Sequence, residues 1–187
     1  MNLKSNQNLF NAFLAGLLLL GVVLACSAGD ETDKANKLVN EGNAAIDEGK
    51  KYVADGEEKK NRMLQTPVAQ LADARTLARE AIRAYEQAEQ KAKEAAGKFD
   101  EASKLKISDK FREYLSLKVK EFNKRAELVE ALKGAPQALL DSENRASFVS
   151  HANEANQKAE GLAKEADDLE AQADKLQKDN PDSIKKT

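Results

Sequence analysis

The chain has 187 residues, of which 33% are charged, with 30 Lys and Arg against 32 Asp and Glu, one His, one Cys, no Trp and a formal charge of -2. That is the length of one domain; the balanced charge lacks the basic excess of a nucleic-acid binder, and a lone cysteine excludes an internal disulfide framework. Hydrophobic residues reach 41%, much of it Ala, and aromatics only 5%, so any core is expected to be thin and built from small side chains.

Residues 1–8 are polar with one cation, Lys4, and Leu9 to Ala25 is an apolar run interrupted only by Asn11. This is the n-region and h-region of an export signal. The run falls short of the ~20 apolar residues of a membrane span and ends in small residues, so cleavage is expected. It closes on Val23-Leu24-Ala25-Cys26, which resembles the lipobox of bacterial lipoprotein precursors: an aliphatic residue, a tolerant position, a small residue, then cysteine. Leu24 is bulkier than is usual at its place, and the resemblance covers residues 1–26 alone.

The resemblance implies that Val23, Leu24 and Ala25 are read as the processing signal, that a diacylglycerol is placed on the Cys26 thiol, and that the chain is cut before that residue. Acyl chains such as palmitate then anchor the protein; one chain binds marginally at ~0.8 kcal/mol per buried methylene, and two or three hold firmly. Ser27, where Asp would signal inner-membrane retention, implies an outer-membrane location facing the periplasm in a diderm host. The competing reading is an ordinary signal peptide cut after Ala25 or Ala28.

Ser27 to Glu31 form a tether of roughly 17 Å at full extension, and Thr32 is the expected N-cap of a first helix over 33–65. Its stripe is Ala35, Leu38, Gly42, Ala45, Gly49, Tyr52 and Gly56, widened by Ile46 and Val53. Glycine every seven residues either admits a close neighbour or marks a weak helix, at about 1 kcal/mol each against Ala. Thr66-Pro67 suits an N-cap and first helical position, which predicts a second helix over 67–104 with the seam Leu71, Ala74, Ala78, Ala81, Tyr85, Ala88, Ala92, Ala95, Phe99 and Ala102. A fold-back at Thr66 would set Gly56 against Ala74 and Ala78, Gly49 against Ala81 and Tyr85, and Gly42 against Ala88 and Ala92, small facing small.

Ile107-Ser108-Asp109 reads as a staple, a cap and an acidic first turn, with one continuous stuttered helix as the alternative. A third helix over 109–133 would point Phe111, Leu115, Val119, Phe122, Ala126, Val129 and Leu132 inward and stop at Gly134-Ala135-Pro136. A fourth would begin between 136 and 143 and end before Pro181, with Phe148, Ala152, Ala155, Ala159, Leu162, Ala166, Leu169, Ala173 and Leu176 as its seam. Residues 104–133 hold nine cations against five anions and residues 141–182 eleven anions against five cations, so the third and fourth helices should attract. The expected fold is all-α: an elongated up-down bundle of three to four long amphipathic helices with coiled-coil-like heptad seams. A looser chain of hairpins is the alternative, and the spacing around Tyr85 to Ala102 faintly resembles tetratricopeptide helices. The expected organisation is a signal peptide at 1–25, a lipidated tether at 26–32, the bundle at 33–180 and a mobile tail at 181–187.

Chemistry is sparse. His151 has no second histidine to share a metal with, the glycines are spaced by seven instead of clustered in a phosphate loop, and no nucleophile has a base and an orienting acid. Carboxylate pairs such as Glu57-Glu58 and Asp167-Asp168 read as solvated faces. Lys118, Lys120, Lys124 and Arg125 form a basic run that suits either anionic headgroups and cell-wall polymer, or water and the acidic fourth helix. Lys185-Lys186 invites comparison with the major outer-membrane lipoprotein, whose C-terminal lysine joins peptidoglycan, although here Thr187 ends the chain.

The expectation is therefore a lipid-anchored helical module of the cell envelope. It binds the membrane through Cys26 and a protein partner or itself through Ala-rich seams and charged faces, without enzymatic activity, cofactor, metal or nucleic acid. The alternative is a lipoprotein that takes a small apolar ligand or lipid in clefts near Tyr85, Phe99, Phe111 and Phe122.

Overall fold

The computed structural model describes residues 30–184, in the order α1 (Thr32–Gln65), a single 3-10 turn (Val68–Gln70), α2 (Leu71–Ser103), α3 (Asp109–Leu132), a short α4 (Gly134–Asp141) and α5 (Arg145–Asp179). The four long helices form an antiparallel bundle, each packed closely against its sequence neighbour, while α4 caps one end by lying against α2 and α5. Helices α1 and α5 are not close-packed against each other. No described helix is long and apolar enough to cross a membrane. The lipobox residues Val23, Leu24, Ala25 and Cys26 lie outside the described residues, as do Lys185 and Lys186.

Ala supplies the α2 seam: every seam position from Ala74 to Ala102 is buried, and Tyr85 and Phe99 are 0% and 1% exposed. These seams are consumed inside the bundle.

The turn between α1 and α2 also differs from expectation. Thr66 ends α1 instead of starting α2: its hydroxyl donates to the Arg62 carbonyl at 2.8 Å, and it and Pro67 are both extended. Helix α2 begins only at Leu71, so the fold-back centre moves several residues downstream and the α1/α2 register slips with it. Gly56 then faces the Tyr85 ring and Gly42 the Phe99 ring; the same register sets Gly49 level with Ala92. At positions 42 and 56 a glycine meets an aromatic ring in place of another small residue. Gly42 and Gly56 are notches that seat the bulkiest side chains of α2, and the rings of Tyr85, Phe99, Phe111 and Phe122 are buried.

At the opposite end, Ser108 caps α3 as predicted, its hydroxyl accepting from the Phe111 amide at 3.2 Å, so α2 and α3 are separate helices. Arg112 closes the loop by donating to the carbonyls of Ser103, Leu105 and Ile107. The start of α1 is pinned to this loop: the Glu31 amide donates to the Lys106 carbonyl at 2.9 Å and the Lys106 amide to the Glu31 carboxylate at 3.1 Å. Thr32 lies within the helix, and Asp30 does the capping, accepting from the Thr32 amide at 2.9 Å and its hydroxyl at 2.6 Å. The chain past Asp179 does not run free as far as Ile184, which is 1% exposed in the cluster with Ala35 and Phe111. This end, where the described chain enters, is called the entry end.

The fourth predicted helix is two. Gly134 opens α4 close against Ala155, whose Cβ a side chain at position 134 would overlap. Asn144 caps α5 by accepting from the Ser147 amide at 3.0 Å.

Candidate functional site: a buried ionic network

The interior of an Ala-rich bundle is a costly place for charge, yet Glu57, Lys60, Lys118, Glu121, Arg125 and Glu170 are all buried. Most of them form one network. On α3, Glu121 is 0% exposed and accepts from Lys118 at 2.5 Å and from Arg125 Nε at 2.8 Å. Arg125 reaches across to α5, donating from Nη2 to Glu170 at 2.9 Å and passing 3.6 Å from Asp167. The Phe122 ring lies beneath both cations, 5.0 Å from Lys118 Nζ and 5.9 Å from the guanidinium carbon, a distance at which the ring face attracts positive charge.

Local sequence explains the placement. Leu115, Lys118, Phe122, Arg125, Val129 and Leu132 follow an unbroken 3-4 spacing, so the charged pair occupies core positions of α3, and Glu121 falls one turn from each. Val119, predicted to point inward, is only half-buried. The expected attraction between α3 and α5 is present: Arg125 meets Glu170, and Lys124 meets Glu165 at 3.1 Å. Lys120, exposed on α3, lines an open groove of about 390 Å³ between α3 and α5 with Leu117, Gln172 and Leu176.

Polar groups of α1 extend this interior. Lys50 on α1 lies 3.9 Å from Asp47, its Nζ is without a hydrogen bond, and burial lowers its pKa against the pull of Asp47. Glu57 accepts from the Tyr85 hydroxyl and from Lys60, both at 2.6 Å; it is not on a solvated face as its pairing with Glu58 suggested. Burial, then the neighbouring Glu57 charge, raises the Tyr85 pKa well above its ordinary value.

Glu170 and Glu89 respond oppositely to pH. Desolvation first, and Glu121 next, push the Glu170 carboxyl above its ordinary value, against Arg125 and Lys118. Glu89 on α2 also loses water, but hydrogen bonds from Lys93 and Lys133 outweigh this and hold it at about 2; the Lys133 contact, at 2.9 Å, ties α3 to α2. A raised folded value means that the native state takes up the proton first, so Glu170 favours the fold increasingly as pH falls toward the unfolded carboxyl value near ~4.3. The depressed value of Glu89 does the reverse: its contribution is complete above that value and is lost as pH falls toward about 2. Urea midpoints at pH 7 and pH 5 should therefore show wild type gaining on Glu170→Gln as the solution is acidified; a constant difference would remove this assignment.

Chemically the network is a clamp. Its cations and carboxylates pair with one another, and Tyr114, on the same helix, is pushed up in pKa by burial. His151 is exposed on α5, and no cluster of His, Cys, Asp and Glu suited to a metal ion occurs among the described residues. No family model matches this chain, and no curated protein or solved structure is similar to it.

Proposed function

We propose that this protein is a lipid-anchored structural or protein-interaction module of the bacterial cell envelope, held end-on at a membrane by acyl chains on Cys26. The observation that carries the reading is the position of the lipobox-like Val23-Leu24-Ala25-Cys26. It lies four residues ahead of Asp30, where α1 is capped and pinned to the loop between α2 and α3. Four residues reach at most about 14 Å, so an anchor on Cys26 keeps the entry end against the bilayer. Helices of ~50 Å, at 1.5 Å per residue, then carry α4 and the turn between α1 and α2 away from it. The interior ionic clamp suits a rigid spacer, because a charged core satisfied in a single arrangement fixes the helix register.

The test is metabolic labelling with palmitate in a diderm host, followed by intact mass of the detergent-extracted protein. The wild type should carry two or three acyl chains and fractionate with membranes, and Cys26→Ser should lose the label and stay unprocessed. A wild-type chain cut after Ala28 with no added mass would end this reading.

A further inference from the structure

The end of the bundle far from the entry end carries all three large exposed hydrophobic side chains of the described residues: Val68 at 85%, Leu71 at 44% and Val149 at 38%. Singly, such residues need no explanation. Here two of them stand three residues apart at one turn. Leu71 occupies a seam position of α2 that has no partner helix, because α1 ends at Gln65 and the extended Thr66-Pro67 link carries the chain past it.

From Leu71 the next positions along the same i, i+4 row of α2 are Arg75, Arg79 and Arg83. None of the three is within ion-pair distance of a carboxylate in the described structure, and the Arg75 Nε is buried with no hydrogen-bond partner. Of the acids of this stretch, Asp73 projects from a different flank of the helix at 100° per residue, and Glu80 stands one turn before Arg83 without forming an ion pair with it. The arrangement contrasts with the middle of α2, where Lys91 and Lys98 are bound to Glu48 and Glu41 of α1.

We propose that Val68, Leu71 and the row Arg75, Arg79, Arg83 form a docking surface for an acidic protein segment that also presents aliphatic or aromatic side chains. Guanidinium groups left without carboxylates are matched by carboxylates, which they bind in a planar two-pronged geometry. The aliphatic pair beside them is matched by an apolar side chain, which a bare polyanion lacks, and Arg is among the residues enriched at the energetic centres of protein interfaces. This deepens the reading of an envelope interaction module and rests on it for the direction the surface faces, away from the membrane.

The test places a photoactivatable amino acid at Val68, at Leu71 or, as control, at the exposed Gln90 in the middle of α2, in the full chain in its host. Adducts should form at 68 and 71 and not at 90, with the cross-linked partner segment net acidic and containing apolar residues. Arg75→Glu with Arg79→Glu should reduce their yield about tenfold. Adducts with a second copy of this chain, with polysaccharide or with lipid, equal yield at 90, indifference to the charge reversal, or no adduct at all would each overturn the proposal. Palmitate labelling of the same cells keeps a failure of the anchor distinguishable, since an unlabelled, untethered chain would report on Cys26 and not on this surface.

Discussion

Arg125→Met is expected to destabilise the protein by about 3–5 kcal/mol, the cost of breaking a buried ion pair from one side. Methionine fills much of the volume beside Phe122, so the loss is electrostatic: Glu121, wholly buried, keeps only Lys118, and Glu170 loses its partner on α3. The paired variant Glu121→Leu/Arg125→Met should regain the part of that loss that comes from Glu121, because removing this charge also removes its desolvation penalty, while Glu170 still lacks its partner on α3. Lys118, near the edge of the network, can extend its head toward water. Urea denaturation of the single and double variants measures the coupling; an Arg125→Met protein as stable as wild type would mean that the network contributes nothing to holding α3 against α5.

Gly56→Ala should be destabilising by about 1–3 kcal/mol, the usual range for overpacking a tight core, even though Ala is the better helix former by about 1 kcal/mol. The added Cβ would come 2.7 Å from Tyr85 Cε1 and 2.8 Å from Cδ1, and the ring cannot withdraw while its hydroxyl holds Glu57 at 2.6 Å in a fully buried position. Gly97→Ala, where nothing lies within 4 Å of the added carbon, should instead stabilise by about 1 kcal/mol. Tyr85→Leu should shrink the penalty at Gly56, which a double-mutant cycle reads directly. Equal effects at positions 56 and 97 would show that the notch is not tight.

Both predictions concern features that the sequence concealed. The spacing of glycines at 42, 49 and 56 drew attention, but the expected partners were other small residues, since the fold-back was placed at Thr66. A threonine followed by proline has two local solutions, helix start and extended link, and local propensity does not choose between them. The choice moved every α1/α2 contact along the helix. The ionic network was equally hidden, because Lys118 and Arg125 sit at core spacing yet were read as a surface run. The 3-4 spacing continued from Leu115 through both charges to Val129 was the available signal.

What the sequence determined unaided is whatever depends on neighbours along the chain. The all-α class follows from propensity, the buried Ala seam of α2 from Ala74 to Ala102 follows from its period, and the Ser108 cap follows from a three-residue motif. The attraction of α3 for α5 was also legible, since summed charge survives ignorance of geometry. Tertiary structure alone decided the helix register, the inward turn of Glu57, Glu121 and Glu170, the return of Ile184 to the core and the split of the last predicted helix at Ser142. Each of these depends on which side chain stands opposite across a helix interface. Contact energies of a few kcal/mol between residues far apart in sequence outweigh local preferences of about 1 kcal/mol or less, and no window along the chain contains both partners.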